Sequence, residues 1–384
     1  MYNNLFAKKF KISLPLWAII APIIGVFALS LTSTGESAST VTSIFFGIAL
    51  IISVLAAVHH AEVIAHKVGE PFGTIILALA ITIIEVSLII SLMLSEKTDS
   101  PSTLARDTVF AAIMIIITGI IGLCLLVGSY RYREQSFIKK GVSTALTTLV
   151  AISILTLVLP NYTTSEIEGV YSNSQLIFVA LISLVLYAGF IIVQTIRHRD
   201  FFLSEPDVNP LEKKKTLNEI EQAEIEIHGE IPNLKTTIAS LTLLFVALIA
   251  VVLLSKKLSP TIESIVYSIG APKSLVGIII ALVILLPEGL AAYKAARIDR
   301  IQTSLNLALG SALASIGLTI PGVAIVCYFT GMKVSLGIDA KSTLLLVLSL
   351  FIVSLSLNSG KTNIQKGVVL LVIFATYLFL TVVP

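Results

Sequence analysis

Long apolar runs, each about as long as a bilayer is thick, restrict this chain more than any single motif does. A helix needs about 20 consecutive apolar residues to cross the hydrocarbon core of a membrane. Eleven stretches meet or approach that length, at residues 14–31, 41–66, 72–94, 108–128, 143–159, 174–196, 235–257, 274–296, 303–327, 342–357 and 367–383. Short polar interruptions such as STGES (33–37), SEKTDS (95–100) and LPNYTTSE (159–166) divide them. In lipid every backbone donor and acceptor has to be satisfied within the protein, so runs of this kind form helices. The expected fold is all-α: a polytopic membrane protein of about 11 transmembrane helices. Composition agrees, since 56% of the 384 residues are hydrophobic and 13% charged, where a soluble domain carries about 25% charged residues.

The loop charges set the orientation. With the N-terminus in the cytoplasm, 19 of the 26 lysines and arginines fall on the cytoplasmic side, as the positive-inside rule requires. One loop is long, from Arg197 to Asn233, and carries the acidic stretch EKKKTLNEIEQAEIEIHGE (212–230). It reads as a solvated linker between two halves of the molecule. No basic run with interleaved aromatics is present, which argues against nucleic acid as a partner. Cys124 and Cys327 both lie in apolar runs without ligand spacing and read as core residues.

The two halves share a pattern. Glu62, Gly69 and Pro71 are repeated as Glu263, Gly270 and Pro272, at a constant offset of 201 residues. A long apolar run follows each set, and each run carries one acid, Glu85 or Glu288, near its middle. This alignment matches the second span to the seventh and leaves five helices in each copy. An odd number of crossings inverts one copy relative to the other, the plan of many secondary transporters. The expected organisation is an N-terminal segment with the first span (1–35), a first five-helix repeat (41–196), the charged linker (197–233) and a second five-helix repeat (234–384).

An acid inside a membrane span is costly and marks an ion or proton pathway by default. Two carboxylates facing one another in a low-dielectric pocket cannot stay ionised and empty, so protons or a cation must compensate them. Hard cations such as Ca²⁺ take oxygens from carboxylates, hydroxyls, carbonyls and water. Glu85 and Glu288 are therefore the expected cation ligands, with Thr82 one turn before Glu85. In SLNLALGSALASIGLTIPG (304–322), Ser311, Ser315 and Thr319 recur every four residues and line one helix face, and Gly310 is suited to close helix approach. Glu62 and Glu263 fit symmetric access pathways. His59 and His60, just before Glu62, would add pH response near neutrality if they take part. Snorkelling or solvated roles are the alternative for these outer groups.

The wording IIEVSLI (83–89), LPEGLAA (286–292) and SLNLALGSALASIGLTIPGVAI (304–325) resembles the calcium/proton exchanger family of the cation/calcium exchanger superfamily. Within that family the wording looks like the bacterial branch of ChaA-type sodium–potassium/proton and calcium/proton antiporters. Family members carry a Gly-Asn-x-x-Glu motif in each repeat, whose glutamate binds the transported cation. The resemblance puts those glutamates at Glu85 and Glu288. Ile81 and Thr82, and Ile284 and Leu285, stand where the glycines and asparagines would be. The Gly-Ser pair of the next helix survives as Gly310 and Ser311, against Ala111 and Ala112 in the first half.

The resemblance implies a multi-pass protein of the bacterial inner membrane that exports Ca²⁺ and/or Na⁺, with K⁺ also within range, in exchange for H⁺ by alternating access. It would be a transporter rather than an enzyme and would need no cofactor. Its partners would be inorganic cations, protons and the lipid bilayer, and a homo-oligomer is compatible with these features. An acid-lined cation channel, which would move cations without counterflowing protons, is the alternative within transport. An intramembrane lipid-processing hydrolase is the alternative outside it, but the arginines such chemistry wants lie in loops and at span ends.

Overall fold

The computed structural model describes residues 14–30, 40–69, 72–94, 100–203, 232–268, 270, 272 and 274–383. The N-terminal lysines and nearly all of the charged linker lie outside the described residues. Among the described residues there are eleven long helices and no strand beyond three isolated bridges between loops. They are α1 (Leu16–Leu29), α2 (Thr40–Val68), α3 (Phe72–Met93), α4 (Leu104–Tyr132), α5 (Lys139–Tyr162), α6 (Asn173–Arg197), α7 (Leu234–Ser268), α8 (Ser274–Arg297), α9 (Ile301–Thr330), α10 (Ala340–Leu357) and α11 (Ile364–Val382). Among the described residues nine are long and apolar enough to cross a membrane, accompanied by the shorter apolar helices Leu16–Leu29 and Ala78–Met93.

Every expected span is present, and several run further than expected. The seventh was expected to end at residue 257 and instead continues through Pro260 to Ser268. Lys256 and Lys257 are consequently helical. Lys257 donates from Nζ to the Leu29 carbonyl at 2.8 Å and lies 5.7 Å from the centre of the Phe46 ring. Helix ends are closed by polar caps: Ser172 and Gln175 form a reciprocal capping box on α6, and Asp339 and Asn363 cap α10 and α11. These side chains satisfy backbone donors that a helix leaves open at its start. Gly69 and Gly270, the pair aligned by the sequence repeat, both take left-handed backbone, with φ of 75° and 69°.

Packing places α3, α4, α8 and α9 at the centre. α3 lies against α9 and α8 against α4, while α8 and α9 also pack on one another. Outside them, α4 packs on α11 and α9 on α6; α2 and α7 run against each other, with α1 across both. α1 is held at its two ends. Nε2 of the buried His60 on α2 bonds the Ala18 carbonyl at 2.9 Å, and Lys257 on α7 bonds that of Leu29.

Close approach is made by glycines, as lipid-embedded helices require. Gly310 is not one of them, because a Cβ built there meets nothing within 4 Å. Tight contacts include those at Gly317, where a Cβ would sit 2.8 Å from Tyr187 Cβ, at Gly322, 2.7 Å from Val86 Cγ1, and at Gly277, 2.8 Å from the backbone of Asp107. That last contact seats α8 on the first turn of α4. There the buried Asp107 accepts from Arg106 Nε at 2.8 Å and from Thr103 at 3.0 Å.

Since Gly277 meets backbone rather than a flexible side-chain tip, Gly277→Val should force the helices apart. Overpacking of this kind costs about 1–3 kcal/mol. The measurement is the unfolding midpoint of the detergent-solubilised protein, which should fall; an unchanged midpoint would contradict the contact.

Candidate functional site

Glu85 reaches the centre because of its register on α3. Ile81, Ile84, Leu88 and Leu92 are buried, whereas Leu79 and Ile83 are 45% exposed, so one face of α3 points inward and Glu85, 3% exposed, belongs to it. The same logic places Glu288. On α8, Ala281, Ile284, Leu285 and Ala292 are buried and Leu282, Leu286 and Leu290 are exposed. Glu288 shares the inner face and is partly buried.

Both acids are held by one helix. Ser315 Oγ on α9 donates to Glu85 Oε1 at 2.5 Å, and Ser311 Oγ donates to Glu288 Oε2 at 2.7 Å. The two serines are four residues apart on one face of α9, about 6 Å along the axis. The carboxyl groups thus converge from α3 and α8 onto consecutive turns of α9. Each serine spends its proton on a carboxyl oxygen and keeps lone pairs for a further partner. Two carboxyls and two hydroxyl oxygens make a donor set suited to a hard cation.

Access to this cluster is uneven. Gly310, Ser311 and Glu288 are partly exposed and open space lies beside Gly310, while Glu85, Ser315 and Thr319 are 3%, 2% and 0% exposed. Accessibility of the hydroxyl row therefore falls along α9 from Ser311 to Thr319.

Proline and a π-helical turn shape the surroundings. Pro287, directly before Glu288, lies inside α8 and cannot donate to the carbonyl of Val283. α4 widens into a π turn at Ile115–Ile120, and Ile120 reaches Gly289, where a Cβ would lie 3.2 Å from Ile120 Cδ1. π turns of this kind are frequent at functional sites.

Residues 38–196 and 239–383 match the sodium/calcium exchanger protein family, which covers most of the chain. The chain belongs to that family. Among curated relatives, y4hA of Sinorhizobium fredii is 42% identical over 372 residues, 96% of this chain and 97% of its own. The sodium-potassium/proton antiporter ChaA of Escherichia coli is 32% identical over 363 residues, 94% of each chain. Two solved structures share the fold. Native YfkE superposes with a TM-score of 0.66 at 17% identity, covering 96% of this chain and 99% of that one, and the H⁺/Ca²⁺ exchanger CAX with 0.65 at 14%, covering 94% and 87%.

In this exchanger-family chain the other candidate residues divide as follows. Thr82 is buried one turn before Glu85, but its hydroxyl proton goes to the Ala78 carbonyl at 2.8 Å, and it lines a shallow apolar groove with Leu79, Ile83, Val86 and Leu318. His59 and Glu62 form a separate pair on α2, 3.9 Å apart, and the His59 ring packs at a tilt against Trp17 of α1, 5.3 Å between centres. His60 turns to α1 rather than toward Glu62 or the acids. Glu263 lies on α7, and its side chain is outside the described residues. Nothing in the sequence ties Gly289 to Ile120.

The accessibility gradient has a chemical readout. A hydrophobic carbodiimide should modify Glu288 faster than Glu85, read by mass spectrometry of the two peptides; equal labelling would contradict it.

Proposed function

We propose that this protein is a secondary cation/proton antiporter that exports Ca²⁺ and/or Na⁺, with K⁺ as a further substrate, by alternating access. The observation that carries this reading is the joint hold of α9 on two acids, one from each half, through Ser311 and Ser315. Glu85 and Glu288 bind the cation, and the serine oxygens complete its shell. Thr82 can add its oxygen lone pairs, its proton remaining on Ala78. ChaA, named as a sodium-potassium/proton antiporter, and CAX, named as an H⁺/Ca²⁺ exchanger, support the substrate class.

The exchange follows from electrostatics. Two ionised carboxyls in a water-poor site are compensated either by protons or by a cation. Loading a cation from one side releases the protons, and protons arriving from the other side displace the cation. The empty, doubly charged site is too costly to occlude, so a return without cargo is suppressed. The second half acts as an inverted copy of the first in this scheme. Support comes from the exchanged pairings of α3 with α9 and α8 with α4, and from the shared left-handed glycines Gly69 and Gly270. With the N-terminus on the cytoplasmic side of a bacterial inner membrane, α9 runs outward. The partly exposed Ser311–Glu288 side then makes this an inward-open arrangement. Glu62 with His59 lies near the cytoplasmic end of α2 and Glu263 toward the opposite face, in keeping with one access pathway each; His60, bonded to α1, serves α1 docking instead.

In everted membrane vesicles, Glu85→Gln and Glu288→Gln should each abolish proton flux driven by Ca²⁺, Na⁺ or K⁺ added separately. Exchange retained in both variants would remove the mechanism. Cation flux that moves no protons would favour a channel.

A further inference from the structure

The hydroxyl row on α9 does not stop at the acids. Thr319 follows Ser315 by four residues, the same step that separates Ser315 from Ser311, and it is 0% exposed. Its Oγ1 has no hydrogen-bond partner among the described residues. Several buried helical hydroxyls elsewhere bond back one turn. Thr118 donates to Met114, Thr156 to Ile152, Ser183 to Val179, Ser349 to Leu345 and Thr381 to Tyr377. Those of Ser53, Thr108, Ser129, Ser153, Thr236, Ser240 and Ser304 share the condition of Thr319. Of the whole set, Thr319 is the one that continues the four-residue step of Ser311 and Ser315. Thr319 has the Ser315 carbonyl one turn behind it and does not use it. A buried hydroxyl left unpaired is destabilising and calls for an explanation, an ion or water in another state of the molecule being one.

The neighbouring backbone is loosened as well. Pro321 lies inside α9 and cannot donate to the carbonyl of Gly317, so the turn holding Thr319 carries a freed acceptor beside the unpaired hydroxyl. The next turn, at Gly322, presses directly on Val86 of α3. Thr319 thus stands between the acid cluster and a tight α9–α3 contact, on the side of the cluster that is closed in this arrangement. Tight packing alone would be served as well by valine, which has the same shape and no polar atom to leave unpaired.

We propose that Thr319 is a cation ligand on the second access leg: when that leg opens, its hydroxyl oxygen receives the hard cation, or a water of its shell, passing between Glu85 and the Thr330 end of α9. This rests on the antiport reading, and it assigns the leg that the present arrangement keeps shut. The ligand class is a small hard cation, because Glu85, Ser315 and Thr319 present oxygen. A hydroxyl ligand is weaker than a carboxylate, which suits a position where the ion must not be retained.

The test uses Thr319→Val and Thr319→Ser in the full chain, with Ca²⁺ and Na⁺ as separate probes in everted and right-side-out vesicles. Thr319→Val should raise the KM for cation about three- to tenfold when the cation is presented to the Thr330 end. It should leave the KM at the other face and the maximal rate near wild type, and Thr319→Ser should restore the affinity. The unfolding midpoint of Thr319→Val should equal or exceed that of wild type, since an unpaired buried hydroxyl has been removed. An unchanged KM at both faces, or an equal change at both with a lowered midpoint, overturns the assignment. Glu85→Gln in the same vesicles separates the two levels. If it still exchanges, the antiport reading fails; if it is dead while Thr319→Val behaves as wild type, only the role of Thr319 fails.

Discussion

Two hydroxyl-to-carboxyl hydrogen bonds made by one helix organise this molecule. Ser311 and Ser315 are four residues apart on α9 and bind Glu288 and Glu85, which arrive on α8 and α3. A buried acid without a partner is among the most destabilising groups a membrane protein can hold. Here each acid has a neutral donor rather than a basic residue. A lysine or arginine in the same place would neutralise the pocket permanently; a serine bonds the acid and leaves its charge to be balanced by something that can depart. The rest of the fold serves that geometry. Gly277 seats α8 on α4, Gly322 seats α9 on α3, and the Ile120–Gly289 contact fixes α8 beside its acid.

The architecture was largely legible in the sequence, because membrane insertion leaves a segment few choices. Apolar run length is enough to locate α1 through α11, and the two intramembrane acids announce themselves by their cost. Helix ends were less legible. α7 passes through Lys256, Lys257 and Pro260 to Ser268 because long amphipathic side chains can remain helical while reaching a polar partner, as Lys257 reaches Leu29. Hydropathy alone reads such residues as the end of a span.

The site was legible in its residue types and less so in its pairings. A four-residue row of hydroxyls identifies a polar face, but not which hydroxyl serves which acid, since that depends on the relative heights of α3, α8 and α9. Gly310 illustrates the limit. Glycine in a small-residue run suggests close approach, yet on α9 the close approaches fall at Gly317 and Gly322, and Gly310 borders open space. By spacing Thr82 is the neighbour of Glu85; tertiary packing reveals that Thr82 bonds its own helix and that Ser315, distant in the chain, bonds the acid. His60 is only two residues before Glu62 in the chain, which suggested a shared role in the access pathway, but residues two apart on a helix point about 200° apart.

The hold on α1 has a mechanical corollary. Its first turn is tied to α2 through His60 and its last residue to α7 through Lys257, and α2 and α7 lie directly against one another. A stiff rod pinned at opposite ends to two sliding partners resists their relative displacement. Any shear of α2 along α7 has to tilt α1 or break one of its two pins, which makes this peripheral helix a brake on motion between α2 and α7.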